Sequence, residues 1–145
     1  MPAAAKQRRR LTVAITGPTG DIGRSLLRAL ERSTEVGKIV AMARRPFDPG
    51  EAGLRKTTYR QGDVLDRSSL DELVEGADVV VHLAFLIMGN REETQKINIE
   101  GSRNVFEAAV AAKAKRLVYA SSVAAYGFHA DNPKLLTEDV EPRGT

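Results

Sequence analysis

Apolar and polar positions alternate in blocks along this 145-residue chain. Leu11-Thr12-Val13-Ala14-Ile15-Thr16 has the composition of a buried strand, and Gly17-Pro18-Thr19-Gly20 bounds it as a turn. A helical period follows, with Ile22, Leu26, Leu27 and Leu30 on one face, Arg24, Arg28, Glu31 and Arg32 elsewhere, and Asp21 at its start. Lys38 to Ala43 reads as a second strand, and Phe47 to Leu54 as a loop punctuated by Pro and Gly. Thr57 to Gln61 is a short third strand leading into Gly62-Asp63-Val64. Ser68 or Ser69 is placed to cap a helix carrying Leu70, Leu73 and Val74, and Gly76 to close it. Asp78 to Leu83 is a fourth strand, apolar enough to be covered on both faces. A long helix is expected over 92–112, with Ile97, Val105, Ala108, Ala109 and Ala112 inward, then a fifth strand over Arg116 to Ser121. After Ser122 the pattern dissolves into Gly, Pro, Asp and Glu.

Strands alternating with helices imply right-handed βαβ crossovers and a parallel sheet. The expected fold is α/β, a doubly wound, Rossmann-like sheet of strand order 3-2-1-4-5. Function then belongs at the carboxyl ends of the strands, near the reversal of strand order. Every distinctive segment of the sequence sits at such an end.

Composition narrows the chemistry. With no cysteine and only His82 and His129, the chain excludes a disulfide scaffold, a thiol nucleophile, a cysteine-built zinc site and a His-rich metal site. No apolar run reaches the roughly 20 residues of a membrane span, so the expectation is a soluble, cytoplasmic protein with no membrane partner. The net charge of +3 misleads, because Lys6, Arg8, Arg9 and Arg10 precede the first strand. Without them 18 basic residues face 19 acidic ones, so no nucleic-acid-binding face is expected. Residues 1–10 are expected to be a disordered basic tail, and 11–145 a single domain.

Gly17-Pro18-Thr19-Gly20-Asp21-Ile22-Gly23 joins the first strand to the first helix. Gly17 permits a sharp exit, Gly20 lets backbone approach a diphosphate, and Gly23 lets the helix pack on the sheet. Free N–H groups and the positive helix end favour an anion there. No Gly-Lys-Ser/Thr follows, so this is not a nucleoside-triphosphate loop.

The chain resembles the extended short-chain dehydrogenase/reductase superfamily, in its NAD-dependent epimerase/dehydratase branch. The resemblance rests on the glycine loop from Thr16 to Gly23, Gly62-Asp63-Val64, His82-Leu83-Ala84, the run from Asn98 to Asn104, and Ser121-Ser122-Val123-Ala124-Ala125-Tyr126-Gly127. It implies that Gly17, Thr19, Gly20, Asp21, Ile22 and Gly23 hold the cofactor's diphosphate. Asp63 and Val64 would border the adenine, although an acid at a strand end equally caps the next turn. Leu83, Ala84 and Phe85 would pass along the riboses. Asn98 would help fix the strand ends beneath the cofactor, or be ordinary helix polarity. His82, inside an apolar strand, is expected to be a packed, hydrogen-bonded residue rather than a general base.

Cofactor choice turns on the end of the second strand, where an acid binds the 2′-hydroxyl of NAD and an arginine suits the 2′-phosphate of NADP. Ala43 is followed by Arg44 and Arg45, with no acid until Asp48. The expectation leans to NADP over NAD, the other reading being a solvated arginine pair.

Ser122 matches the family's catalytic serine or threonine, with Ser121 structuring the strand end. The family's acid/base tyrosine is paired with a lysine four residues on, and no Tyr-x-x-x-Lys occurs here, so Tyr126 is not assigned that role. The resemblance implies an incomplete domain, cut before the tyrosine, a sixth strand and the substrate-binding region. The expected function is the nucleotide-binding part of an NAD(P)-dependent epimerase, dehydratase or reductase. Its small-molecule substrate would be a carbinol or carbonyl, with nucleotide sugars among the candidates. The alternative is a non-catalytic, regulatory or redox-sensing dinucleotide-binding module. A flavodoxin-like domain is a third reading, for which no phosphate loop speaks. By family analogy helix 92–112 would serve a homodimer, or expose an apolar stripe.

Overall fold

A computed structural model of the chain describes residues 9–144, so Lys6 and Arg8 of the basic tail lie outside the described residues. The elements are β1 (Leu11–Thr16), α1 (Asp21–Arg32), β2 (Val36–Ala43), β3 (Thr57–Gln61), α2 (Arg67–Val74), β4 (Val79–His82), α3 (Arg91–Gln95), a π-helical turn (Lys96–Gly101), α4 (Ser102–Ala111), β5 (Arg116–Tyr119) and a 3₁₀ turn (Val123–Tyr126). The five strands form one parallel sheet of order β3-β2-β1-β4-β5. β1 lies at the centre, with Ile15 opposite Ala41 of β2 and Val81 of β4. The chain passes from β1 outward to β2 and β3, then returns to β4 on the other side of β1. The strand-order reversal therefore falls between β1 and β4, where a crevice opens beyond the strand ends.

Side chains of a strand alternate between faces, and each face has its own core. Ala14, Val40, Met42 and Val80 pack with Leu70, Leu73 and Val74 of α2 and Val105, Ala108 and Ala109 of α4. Val13, Ile15, Ile39, Ala41 and Val81 face the other way, onto Leu27 of α1. β5 is the sheet's edge, and its Leu117, Val118 and Tyr119 are 37–45% exposed.

Several boundaries differ from the sequence expectation for local reasons. β2 begins at Val36, not Lys38, because Leu11 pairs with Val36 across a register shift and its N–H donates to Glu35 O. The cap of α2 is Asp66, not Ser68 or Ser69. Its carboxylate accepts from the Ser68 N–H at 3.1 Å and from both serine hydroxyls, at 2.8 and 2.6 Å. Gly76, with φ +67°, does turn the chain just past that helix. The fourth strand is trimmed to Val79–His82. The helix over 92–112 is interrupted by the π turn, which carries Asn98. The fifth strand stops at Tyr119 rather than Ser121, because its neighbour β4 ends opposite, at His82. Ile22, in the first turn of α1, leaves the helix's apolar stripe and is 60% exposed.

Candidate functional site

Thr16 closes β1 and Gly17 turns the chain at φ +74°, where a Cβ would lie 2.7–2.8 Å from the backbone of Leu83 and Ala84. Only glycine permits both the left-handed conformation and that approach. Gly23, one turn into α1, is buried against Gly17 O and Pro18, with 2.8 Å left for a Cβ at the proline carbons. Gly17 and Gly23 are therefore required by the fold itself. Gly20 is different. It is exposed, φ is −74°, and the nearest atom to a Cβ would be Gly17 O at 3.8 Å. It stands at the N-cap of α1 with no side chain capping the helix, leaving backbone donors towards the crevice.

A cleft of about 280 Å³ opens beside this turn. It gathers Gly17, Thr19 and Gly20 from the β1–α1 turn, Arg44 from the end of β2, Asp63 and Val64 after β3, and Leu83, Ala84 and Phe85 after β4. Nine of the residues singled out from sequence thus line one site. Asp21 and Ile22 sit on the exposed first turn of α1 outside its lining, and Gly23 lies beneath it. The lining also includes Met42, Ala43, Arg45, Gly62, Leu86 and Ile97. Arg45 was legible as Arg44's neighbour, and Gly62 from its place before Asp63; Met42, Leu86 and Ile97 are apolar residues that carry no such signal.

Asp63 caps the turn after β3 and also lines the cleft. Its Oδ1 accepts from the Leu65 N–H at 3.0 Å, capping the turn, while the residue faces the cleft. Val64 is held from behind, where Asn104 Nδ2 donates to its carbonyl and Gly101 admits its methyl groups. The Arg44–Arg45 backbone is anchored by β3: Gln61 Nε2 donates to Arg44 O at 2.9 Å, and the Tyr59 hydroxyl reaches Ala43 O and Arg45 O. Burial pushes the Tyr59 phenol pKa up. Both arginine side chains are exposed, and neither forms an ion pair among the described residues.

His82 is fully buried beneath the crevice. Its Nδ1 lies 2.6 Å from Thr16 Oγ1 and its Nε2 3.0 Å from Ser102 Oγ. Thr16 Oγ1 accepts from the Leu83 and Ala84 N–H groups at 3.2 and 3.3 Å, so its own proton goes to Nδ1. The imidazole is then the neutral Nε2–H tautomer, donating to Ser102. Burial lowers its pKa to about 4. Tyr119 stacks on the ring with centroids 5.5 Å apart, and Phe106 meets both edge-on. His82 is a packed residue that braces the cleft's floor and has no free nitrogen for acid–base work.

A second cavity lies between the ends of β4 and β5, and shares Phe85 and Leu86 with the first. Asn98, Ser121 and Ser122 line this one. The Asn98 carboxamide grips Leu86 twice: Oδ1 accepts from its N–H and Nδ2 donates to its carbonyl, each at 2.8 Å. That grip fixes the loop after β4, which is more than ordinary helix polarity. Ser122 lies three residues past the end of β5 and caps the 3₁₀ turn, its Oγ accepting from the Ala124 N–H at 3.2 Å. Among the described residues no cluster of three or more His, Cys, Asp or Glu side chains is placed to hold a metal, and no helix is long and apolar enough to cross a membrane.

A doubly wound parallel sheet, with its glycine turn and first cleft at the strand-order reversal and the second cavity one strand further along the carboxyl ends, defines a Rossmann-like α/β protein. The sequence model of the NAD dependent epimerase/dehydratase family matches residues 13–145, and the chain belongs to that family. It is 33% identical over 138 residues to L-arabinose 1-dehydrogenase (NAD(P)(+)) of Haloferax volcanii, an alignment covering 91% of this chain and 50% of that protein. It is 32% identical over 122 residues to sterol demethylase protein B of Methylococcus capsulatus, covering 82% and 37%. Uronate dehydrogenase from Agrobacterium tumefaciens, solved in complex with NAD, superposes with a TM-score of 0.73 at 27% identity, covering 83% of this chain and 44% of that one. The chain thus spans half or less of the length of these relatives.

Proposed function

We propose that this chain forms the dinucleotide-binding part of an NAD(P)-dependent oxidoreductase or epimerase. Gly20 carries the reading. Nothing in the chain demands glycine there, since a Cβ would meet no atom closer than 3.8 Å. Bare backbone at an uncapped helix start, opening on a cleft, suits the close approach of a diphosphate. Gly17, Thr19, Gly20, Asp21 and Ile22 would hold that group, and Gly23 keeps the helix near enough to do so. Asp63, with one carboxylate oxygen committed to Leu65, would offer the other to the adenine amine, beside Val64. Leu83, Ala84 and Phe85 would lie along the riboses, on a wall that Asn98 secures through Leu86. Ser121 would close the far end.

Bound there, a nicotinamide dinucleotide supplies the donor or acceptor of a hydride at a substrate carbon. The Ser122 hydroxyl keeps its proton after Oγ accepts from Ala124, and would hold a carbinol or carbonyl oxygen in place. With no Tyr-x-x-x-Lys among these 145 residues, the chain's own groups orient that oxygen without moving its proton. Arg44 and Arg45, exposed at the cleft and in no ion pair among the described residues, favour the 2′-phosphate of NADP. Ile99 and Val110, 54% and 77% exposed, are the apolar groups through which the 92–112 helix would meet a second copy.

Fluorescence titrations with NADPH and NADH test this. Gly20→Val should keep the circular-dichroism spectrum yet weaken both cofactors at least about tenfold, a loss of roughly 1.4 kcal/mol. Arg44→Ala should weaken NADPH alone. Unchanged binding by Gly20→Val sinks the site, and tighter NADH than NADPH in the parent sinks the NADP preference.

A further inference from the structure

β2 and β3 pair in parallel as far as Ala43 and Gln61, and the ladder closes where the Gly62 N–H donates to Ala43 O at 3.0 Å. Beyond that point no ladder remains to fix the chain, yet the next two carbonyls are still held from β3. Gln61 Nε2 donates to Arg44 O at 2.9 Å. The Tyr59 hydroxyl shares its one proton between Ala43 O, at 2.8 Å, and Arg45 O. Tyr59 and Gln61 stand two residues apart, so they rise from one face of the strand and reach past its end together. The Tyr59 ring meets Phe47 edge-on with centroids 5.5 Å apart, which fixes the phenol between the strand and the loop. Pro46 follows Arg45 and narrows its backbone to extended conformations.

The end of β2 does not need this clasp, because Ala43 O already has a partner in Gly62. What the clasp controls is where Arg44 and Arg45 are rooted. Both side chains are exposed, both line the first cleft, and neither forms an ion pair among the described residues. The next acid along the chain, Asp48, is turned into its own loop, where Oδ1 accepts from the Gly50 and Glu51 N–H groups at 2.7 and 3.4 Å. The arginine charges are left for something else. An arginine on a wandering backbone gives up much freedom when it binds an anion, and one on a fixed Cα gives up less. A 2′-phosphate, with several charged oxygens matched to guanidinium, gains from that rooting, whereas a 2′-hydroxyl does not.

We propose that Tyr59 and Gln61 are positioning residues for cofactor selectivity: by clasping the carbonyls of residues 43–45 they hold Arg44 and Arg45 where a 2′-phosphate would sit. Neither side chain touches the cofactor in this scheme; each acts through the arginines. The inference rests on the NADP reading above, and the unaltered chain tests that reading separately.

The experiment is fluorescence titration of the 145-residue chain and its variants with NADPH and with NADH. Tyr59→Phe keeps the ring against Phe47 and removes only the hydroxyl; Ala43 O retains Gly62, and water can reach the exposed Arg45, so the variant should fold. It should weaken NADPH about tenfold while NADH moves less than about twofold, and Gln61→Met, at an exposed position, should shift the ratio in the same direction. In an Arg44→Ala/Arg45→Ala background, Tyr59→Phe should change NADPH affinity less than about twofold, because the groups it acts through are gone. A parent-like NADPH/NADH ratio in both single variants overturns the proposal. So does equal weakening of the two cofactors, which marks a merely structural tether, and so does a full Tyr59→Phe effect without the arginines. Should Tyr59→Phe lose its circular-dichroism spectrum, Gln61→Met alone decides by the same ratio. A parent that binds neither cofactor, or that prefers NADH, overturns the underlying reading and the proposal with it, and shows this before any variant is made.

Discussion

Taking the protein from about pH 7 to about pH 5 should destabilise it mainly through His82. The ring is fully buried, receives the Thr16 hydroxyl at Nδ1 and gives its Nε2 proton to Ser102, so a second proton has no acceptor facing it. Burial holds the folded pKa near 4, against 6.5 for a free imidazole. Between those values the unfolded chain binds the proton and the folded one does not. Stability is therefore complete above the unfolded pKa, falls as pH drops through it, and levels off below the folded one. Each unit of difference is worth about 1.4 kcal/mol, so the full loss is on the order of 3 kcal/mol, with about 2 of it reached by pH 5. Urea melts with fixed slope should then show a midpoint drop on the order of 1 M over that interval. His82→Gln starts from a lower midpoint but should be nearly flat across it. A parent midpoint that does not move, or a variant that follows the parent's slope, would refute the reasoning.

Two further changes probe the support of the site and of its helix. Asn98→Ala removes both bonds to the Leu86 backbone, and should cost about 2 kcal/mol in urea unfolding while accelerating amide exchange after β4; exchange equal to the parent's would show that the clasp is idle. Lys113 holds φ +55° just past α4, a left-handed position that glycine adopts freely, so Lys113→Gly should raise stability by about 0.5–1 kcal/mol. A lower urea midpoint would mean that the lysine side chain earns more there than the conformation costs.

The block pattern of apolar residues was enough to place all five strands and their order, because a doubly wound sheet leaves few topologies open to alternating elements. Gly17 and Gly23 were legible for the same kind of reason: their need for close backbone approach is local to one turn. What sequence could not carry was anything set by a partner far along the chain. β5 ends where β4 ends, and the strand's own apolar run, which continues through Ala120, does not say so. The cap of α2 went to Asp66 because its carboxylate reaches a backbone N–H and two hydroxyls at once.

The same division holds at the candidate site. Residue types at the strand ends named nine lining residues of the first cleft, since the carboxyl ends of parallel strands must converge there. Only the tertiary structure separated the candidates into two cavities, turned Asn98 onto Leu86, and used Ser122 to cap a turn. It also decided the state of His82, because the Thr16 hydroxyl and Ser102 lie 66 and 20 residues away and meet the ring only when β1, β4 and α4 pack. Local sequence determines which backbone conformations are allowed. Which polar groups remain free for chemistry depends on contacts that packing alone creates.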